Sequence, residues 1–264
     1  MSETLSESAI LEKLTTRYLG RCLEVYAEID STNRRAVAWA QAGAPDGALV
    51  LADHQTQGRG RLGRQWFAPP GSSLLFSLVL RPPLAPWQAQ RATMICSLAA
   101  VEAIHETTGL DAQLKWPNDI VLSDSKLGGM LTELGVSGKR LDYVVIGMGL
   151  NVNLDLTSLP EVMTPPASLS AMRGKAVSRL ALLRALLERA EGHYEALRGG
   201  WSPHTAWRER LATLGQRVQV GTSEEVLAGL AEDVDADGAL LVRTDEGALR
   251  RVLAGDVTLR GHRL

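Results

Sequence analysis

The sequence predicts an α+β fold in two domains, a larger one of intermixed strands and helices and a small β-barrel that follows it. The length of 264 residues suits one large domain together with a small one. Over residues 1–213, helical spacings of apolar residues alternate with short strand-like runs. Over residues 214–264, five short strand-like runs follow one another with turn residues between them, which is typical of a small closed barrel.

Four helices are predicted in the first domain from apolar residues at helical spacing. Each is followed closely by a glycine, a residue that readily takes the left-handed conformation with which helices end. Residues 30–33, Asp-Ser-Thr-Asn, are all good N-cap types and precede the second helix. The predicted helices cover residues 8–19, 36–42, 88–108 and 177–197.

Strands are predicted from short apolar or alternating runs bounded by turn residues. Residues 117–119, Pro-Asn-Asp, form the turn of one hairpin, and Asp-Gly at 237–238 and Glu-Gly at 246–247 mark two more. A loop is predicted where three prolines occur close together, at Pro160, Pro165 and Pro166. The strands of the first domain are 21–29, 48–52, 73–80, 114–116, 120–122, 127–135 and 143–152. Those of the barrel are 216–220, 226–230, 239–244, 249–253 and 257–259.

Composition excludes several classes of protein. A net charge of -2 and a pI near 6.2 argue against a generally basic nucleic-acid coat. Cys22 and Cys96 form no CxxC motif, so neither a disulfide framework nor a zinc site is indicated. No apolar run approaches the length of a transmembrane helix, and the N-terminus lacks the order of a signal peptide. We therefore expect a cytoplasmic protein with no membrane partner.

The segment Gly58-Arg59-Gly60-Arg61-Leu62-Gly63-Arg64, with Trp66 after it, predicts an anion site, and we call it the arginine loop. Its guanidinium groups match carboxylate and phosphate oxygens, and its glycines let backbone approach a ligand. No Asp or Glu occurs from His54 to Ala100. The G-x-G-x-x-G spacing does not indicate a dinucleotide fold, because two prolines follow and the next acid is Glu102. A solvated basic turn remains the plainer alternative.

Four further motifs are weak when taken singly. Residues 115–119, Lys-Trp-Pro-Asn-Asp, are equally well explained as a hairpin turn. Residues 126–129, Lys-Leu-Gly-Gly, also suit a surface lysine before a turn, and the glycines and asparagines of 147–153 also suit a strand end. Residues 31–33, Ser-Thr-Asn, are also explained as helix capping. The five histidines show no metal-ligand spacing, and no G-x-S-x-G motif is present.

In this order and spacing, the five motifs resemble those of the biotin protein ligases, from about Leu14 to the C-terminus. Residues 255–260, Gly-Asp-Val-Thr-Leu-Arg, add to the resemblance. It implies a mixed β-sheet with flanking helices, of the class II synthetase type, and then an SH3-like barrel. Only 30 residues precede Ser31, so the resemblance is to the short form without a DNA-binding winged helix. No DNA partner is therefore expected, while a homodimer is possible.

The resemblance implies that biotin and ATP form biotinyl-5'-AMP and that biotin then passes to a lysine of a biotin carboxyl carrier protein, with Mg²⁺ as the metal. The implied catalytic residues are Lys126, Arg61 and Asp119, and Asp119 is the candidate Mg²⁺ ligand. The implied biotin-binding residues are Ser31, Thr32, Asn33, Gln55, Gly58, Arg59, Gly60, Arg61, Lys126, Gly129 and Gly147. The implied nucleotide-binding residues are Arg59, Arg61, Arg64, Trp66, Lys115, Asn118 and Asn151.

Two alternatives belong to other classes. A lipoate ligase shares the general fold but is not expected to carry the arginine loop or residues 115–119. A non-enzymatic nucleic-acid binder would use the arginine loop electrostatically, and its binding would depend strongly on salt. The acidic pI argues against that second alternative. We also expect the arginine loop to close over the reactive anhydride and exclude water.

Overall fold

A seven-stranded sheet forms the centre of the larger domain, in a computed structural model that describes residues 3–158, 165–221, 226–253 and 255–259. The strand order is β1-β2-β3-β7-β6-β5-β4. β1 and β2 run parallel and the remaining neighbours run antiparallel, so the sheet is mixed as expected. The strands are β1 Leu23–Ile29, β2 Leu49–Gln55, β3 Ser73–Leu80, β4 Gln113–Lys115, β5 Asp119–Leu122, β6 Ser125–Ser137 and β7 Arg140–Asn151.

Helices cover both faces of this sheet. The long helices α3 and α5 pack together on one face, where they meet the apolar side chains of the central strands. α2 covers the other face and packs against a smaller apolar cluster that includes Val50, Val79 and Val145. The helices are α1 Glu7–Leu11, α2 Thr32–Gln41, α3 Gln90–Thr108, α4 Leu169–Arg173, α5 Arg179–Arg198 and α6 His204–Glu209.

The first predicted helix is wrong beyond Leu11. The N–H groups of Arg17, Tyr18 and Leu19 donate to the carboxylate of Glu191 on α5, at 2.7, 3.0 and 3.0 Å. A tertiary contact therefore takes up donors that a continuing helix would use internally. α4 and α6 were not predicted, since five and six residues are too few to show a helical period.

The second domain contains an antiparallel sheet of five strands in the order β11-β10-β9-β8-β12. Gly238 and Gly247 lie in its hairpins with φ of 85° and 86°, which confirms both predicted turns. Within the described residues, β11 and β12 are the two edges and no ladder joins them. The strands are β8 Arg217–Gly221, β9 Val226–Val234, β10 Leu240–Thr244, β11 Leu249–Val252 and β12 Asp256–Leu259.

The two domains meet at the indole of Trp116, which is buried. Its Nε1–H donates to the carbonyl of Gly238 at 2.8 Å, and its backbone N–H donates to Thr213 Oγ1 at 2.9 Å. The boundary near residue 214 stays a prediction, and Pro160 and Arg260 lie outside the described residues. Among the described helices, none combines the length and apolar character that crossing a membrane requires.

Candidate active site

Three glycines of neighbouring strands leave bare backbone on the face of the sheet that α2 covers. Gly129 of β6 pairs with Gly149 of β7, and Gly147 pairs with Leu131 of β6. Gly147 and Gly149 are two residues apart and therefore point to the same face, with their rows about 7 Å apart. We call the backbone of these three glycines the glycine floor.

Site residues lie where the missing Cβ atoms would be. A Cβ on Gly147 would come within 1.7 Å of Asn33 Oδ1, and one on Gly149 within 2.6 Å of the Trp66 ring. A Cβ on Gly129 would lie 3.0 Å from Asp119 Oδ1. The glycine floor therefore brings together residues from α2, the arginine loop and β5, three segments far apart in the sequence.

The N-terminus of α2 supplies the polar residues at one end of the glycine floor. Ser31 is its N-cap, and the backbone N–H of Thr32 donates to Gln55 Oε1 at 2.7 Å. Thr32 Oγ1 also lies 3.0 Å from Gln55 Oε1, which ties α2 to the end of β2. The capping expected from the sequence is thus present, and it fixes the same residues that the motif assigned to binding.

Asn33 is held by three residues that no motif had indicated. Its Oδ1 lies 2.6 Å from the hydroxyl of Ser77, which is fully buried on β3. Its Nδ2 donates to Glu133 Oε2 at 2.9 Å and to the carbonyl of Leu131 at 3.1 Å. The sequence signal for Ser77 was a hydroxyl within an otherwise apolar buried strand.

The arginine loop is a tight hairpin and does not open a long helix. Trp66 N–H donates to the Gly58 carbonyl at 2.9 Å, and Gly60 N–H donates to the Arg64 carbonyl at 2.8 Å. Its tip, Arg61–Gly63, is a single 3-10 turn in which Leu62 takes a φ of 53°. Gly58 has no room for a side chain, because its Cβ would lie 2.3 Å from the Trp66 carbonyl oxygen.

The arginine side chains of the loop reach different partners. Arg61 Nη1 donates to Asn118 Oδ1 at 2.9 Å and to the carbonyl of Gly255 at 3.3 Å. Arg59 Nη1 instead donates to Glu133 Oε1 at 3.1 Å. Arg64 is exposed. Arg61 therefore links the loop to the 115–119 turn and to the second domain.

Lys126 and Asp119 form an ion pair at the other end of the glycine floor, with Nζ 2.8 Å from Oδ1. Lys126 Nζ also lies 6.0 Å from the centroid of the Trp66 ring. Lys115 stands opposite Asp119 in the β4–β5 ladder. The structure thus gathers Lys126, Asp119 and Trp66 beside the row of Gly129 and Gly149.

Asn151 is buried at the end of β7. Its Nδ2 donates to the carbonyl of Ala167 at 3.1 Å, which holds the segment before α4 against β7. In this structure Asn151 contacts a neighbouring loop, and its assignment to nucleotide binding stays a prediction. Trp66 Nε1 is buried and has no hydrogen-bond partner among the described atoms, so it can donate to a ligand at the glycine floor.

A separate open groove lies at the ends of β3 and β7 that are farther from the glycine floor. Its lining includes Arg81, Pro82 and Tyr143. No residue of the five motifs lines it. The groove therefore has no part in the gathering of side chains described above.

The carboxylate of Asp119 suits a divalent cation that binds mainly to the substrate and only in part to the protein. No group of three or more His, Cys, Asp or Glu residues that could hold a metal occurs in the described part of the chain. Mg²⁺ commonly binds through one or two carboxylates together with phosphate oxygens and waters. A single carboxylate beside Lys126 and the arginine loop fits that mode of binding.

Family models match both domains of this chain. The model described as "Biotin/lipoate A/B protein ligase family" matches residues 25–151, and "Biotin protein ligase C terminal domain" matches residues 213–260. The bifunctional ligase/repressor BirA of Bacillus subtilis is 33% identical over 97% of this chain and 79% of its own length. The biotin–[acetyl-CoA-carboxylase] ligase of Mycobacterium tuberculosis is 34% identical over 96% of this chain and 95% of its own.

A solved structure shares the arrangement of both domains. The biotin protein ligase of Aquifex aeolicus, in complex with biotin and ATP, superposes with a TM-score of 0.76 at 28% sequence identity. The alignment covers 91% of this chain and 99% of that one. The alignment therefore includes most of both domains.

Proposed function

The chain belongs to the biotin protein ligase family, and we propose that its glycine floor holds biotin while the arginine loop meets the phosphates of ATP. It is a biotin–[acetyl-CoA-carboxylase] ligase, which forms biotinyl-5'-AMP and passes biotin to a protein lysine. The expected fold, enzyme class and reaction are thereby confirmed. The roles of individual residues are our proposal.

One observation supports the orientation that we assign to biotin. The ion pair of Lys126 and Asp119 lies beside one row of the glycine floor, and Asn33 covers the next row. The carboxylate of biotin pairs with the cationic end, at Lys126. The polar bicyclic ring of biotin meets the amide and hydroxyl groups of Asn33 and Thr32, which suit a neutral ligand group.

In the first step, a carboxylate oxygen of biotin attacks the α-phosphorus of ATP. A new O–P bond forms, the bond to the β-phosphate oxygen breaks, and pyrophosphate leaves with the electron pair. Lys126 and Arg61 offset the repulsion between the carboxylate and the phosphates and stabilise the developing charge. Asp119 would hold Mg²⁺ together with the phosphates, and the ion would supply further positive charge to the leaving pyrophosphate.

In the second step, the amine of the acceptor lysine attacks the carbonyl carbon of the mixed anhydride. The amide bond forms, the bond between the carbonyl carbon and the phosphate oxygen breaks, AMP leaves with that electron pair, and the amine proton passes to water. Lys126 and the N–H groups of the arginine loop stabilise the oxyanion that precedes departure of AMP. The loop and Trp66 cover the anhydride and reduce its hydrolysis, because they exclude water.

We infer that the acceptor is the biotin carboxyl carrier protein of a carboxylase, since the relatives from Paracoccus denitrificans and Mycobacterium tuberculosis are named as ligases of acetyl-CoA-carboxylase. The acceptor presents its lysine at the Lys126 end of the site. A homodimer, a cytoplasmic location and the lack of DNA binding stay predictions.

The direct test is to incubate the protein with biotin, MgATP and a biotin carboxyl carrier domain and to weigh that domain. We expect a gain equal to biotin less one water, and no gain with lipoate in place of biotin. Lys126→Met should lower biotin-dependent pyrophosphate exchange about 100- to 1,000-fold, the loss typical for one transition-state donor. The exposed Lys139 in the β6–β7 turn provides the control variant Lys139→Met. An unmodified carrier domain with the wild-type protein would refute the proposal.

A further inference from the structure

Glu133 connects two parts of the site. On the sheet face of the glycine floor, the pair Gly129 and Gly149 forms the first row, the pair Leu131 and Gly147 the second, and Glu133 with Val145 the third. Glu133 lies on β6 two residues beyond Leu131 and opposite Val145 of β7. Its carboxylate accepts from Asn33 Nδ2 at 2.9 Å and from Arg59 Nη1 at 3.1 Å. One carboxylate is thus shared by the residue at the biotin-ring end and by the arginine loop.

The contact with Asn33 fixes which way its amide points. Nδ2 donates to Glu133 and to Leu131, so Oδ1 faces the buried hydroxyl of Ser77. Without an acceptor at position 133, this amide keeps a single acceptor for its two N–H groups. An amide with fewer fixed partners rotates more freely, and a ligand must then order it when it binds.

The contact with Arg59 holds the arginine loop across the site. Arg59 follows Gly58, which packs against the Trp66 backbone and lies near Gln55. The guanidinium of Arg59 lies at the third row, beside Glu133. The Arg59 side chain therefore connects the arginine loop to the carboxylate that also holds Asn33.

We infer that Glu133 is a positioning residue that couples binding of the biotin ring to the position of the arginine loop. This inference rests on the proposed placement of biotin. Glu133 orients Asn33 toward the ring and holds Arg59, so a bound ring is enclosed by a loop that is tied to the sheet. The side chains of Arg59 and Glu133 are 44% and 28% exposed, so the ion pair can open to admit biotin.

Two substitutions at position 133 separate the two contacts. Glu133→Gln keeps an acceptor for Asn33 but removes the charge that holds Arg59. Glu133→Ala removes both contacts. We expect Glu133→Ala to raise KM for biotin about tenfold, equivalent to ~1.4 kcal/mol, with KM for ATP changed less than about twofold. Glu133→Gln should leave KM for biotin within about threefold of wild type.

The loop contact is measured by the ratio of pyrophosphate released to biotin transferred. We expect this ratio to rise in Glu133→Gln and in Arg59→Gln, because an untied loop exposes the anhydride to water. The double variant should match the single variants, since both remove the same ion pair. Asp142→Asn removes the carboxylate that pairs with the exposed Arg140 on β7. This pair is far from the glycine floor, so the variant should behave as wild type.

The outcomes distinguish this inference from the proposed function. A wild-type protein that does not biotinylate the carrier domain refutes the function itself. An active wild type with Glu133→Ala at an unchanged KM for biotin overturns the inference about Asn33. Additive effects of Glu133→Gln and Arg59→Gln overturn the inference about the loop. If Glu133→Ala melts at a markedly lower temperature than wild type, the isosteric Glu133→Gln and the variant Arg59→Gln still test the loop contact through the ratio of pyrophosphate released to biotin transferred.

Discussion

At the scale of single residues, the proposed active site depends on glycines, which have no side chain. Gly147 has no Cβ, and the amide oxygen of Asn33 occupies that space. The ring of Trp66 likewise occupies the space that a Cβ on Gly149 would need. These glycines are required by close approach, because neither has a positive φ. Their role is to let site residues from other segments lie directly on the sheet.

We expect Gly147→Ala to displace Asn33 and to raise KM for biotin at least about tenfold, since a Cβ 1.7 Å from Oδ1 forces the amide away. Steady-state kinetics with varied biotin checks this. Gly221→Ala is the matched control, because Gly221 also lies in a strand but has open space around it. Equal KM values for both variants would contradict the role of Gly147.

Residue types with a distinctive local pattern were predictable from the sequence, and isolated ones were not. The motifs indicated Asn33, Lys126 and Asp119, and the structure brings all three to the glycine floor. Ser77 and Glu133 have no motif around them. Their importance follows only from the strand register, which depends on how distant segments pair.

At the scale of elements, the arginine loop is short but held at both of its ends. Its backbone forms a hairpin closed by the hydrogen bond from Trp66 to Gly58. Arg61 then fastens the tip to Asn118 and to Gly255. Opening of the loop therefore requires Arg61 to detach from these two partners.

We expect Arg61→Ala to raise the ratio of pyrophosphate released to biotin transferred. The loop loses its contacts at the tip, and each 1.4 kcal/mol lost favours opening about tenfold. Parallel assays of pyrophosphate and of carrier-bound biotin give this ratio. Leu62→Ala alters the exposed neighbour of Arg61 and serves as the control. An unchanged ratio in Arg61→Ala would show that the tip contacts do not hold the loop closed.

The segment before β1 depends on α5 for its conformation. Burial of Glu191 raises the pKa of its carboxyl, but the three N–H donors at 17–19 outweigh burial, so the pKa lies below its ordinary value. The charged form is therefore favoured by folding. Its contribution to stability is complete above the unfolded value of about 4.3 and is lost as pH falls through the lower folded value.

We expect Glu191→Gln to lower the free energy of unfolding at pH 7 by ~1.5–3 kcal/mol, the range for hydrogen bonds to a charged group. The difference from wild type should shrink below about pH 4, where wild type also becomes protonated. Denaturant unfolding between pH 3 and 7 measures this. Glu188→Gln changes a half-buried carboxylate one turn earlier that accepts a single N–H group, from Thr15 at 3.0 Å, and should have a smaller effect. A pH-independent difference would refute the assignment.

The same carboxylate explains the error in the first predicted helix. Apolar residues 10, 11, 14 and 18 suited a helix, and local pattern gave no sign of Glu191. A contact across more than 170 residues decided the conformation. The longer helices α3 and α5 were predictable because burial along their whole length imposes a period on the sequence.

At the scale of the whole molecule, the second domain contacts the site at two places. Trp116 donates to Gly238, and Arg61 donates to Gly255. Both Trp116 and Arg61 belong to site motifs. The smaller sheet therefore supports the 115–119 turn and the arginine loop at once.

We expect Gly238→Ala to destabilise the protein and lower kcat more than Gly247→Ala. Both glycines have φ near 85°, so both variants carry the left-handed cost of ~1–2 kcal/mol. Only at Gly238 would a Cβ collide, 2.7 Å from Gln90 Cγ and 2.8 Å from Met94 Cε, while Gly247 has open space. Thermal melts and steady-state rates of the two variants make the comparison. Indistinguishable variants would mean that this contact does not support the site.

The two-domain order was predictable from the change in pattern near residue 214, and the contact between the domains was not. Strand-like runs and turn glycines have local signatures. The burial of Trp116 against Gly238 joins segments more than 120 residues apart. Nothing in the local sequence indicates that a tryptophan of a hairpin would connect two sheets.

The glycine floor also limits how the enzyme could be redesigned for other acids. Pockets are usually widened by trimming a large side chain to a smaller one. At Gly129, Gly147 and Gly149 nothing remains to trim, because the surface is main chain. Mutation there can only make the site shallower. With biotin placed as we propose, variants that accept bulkier analogues of biotin must therefore be sought among the residues above the floor, at Trp66, Asn33 or Leu131.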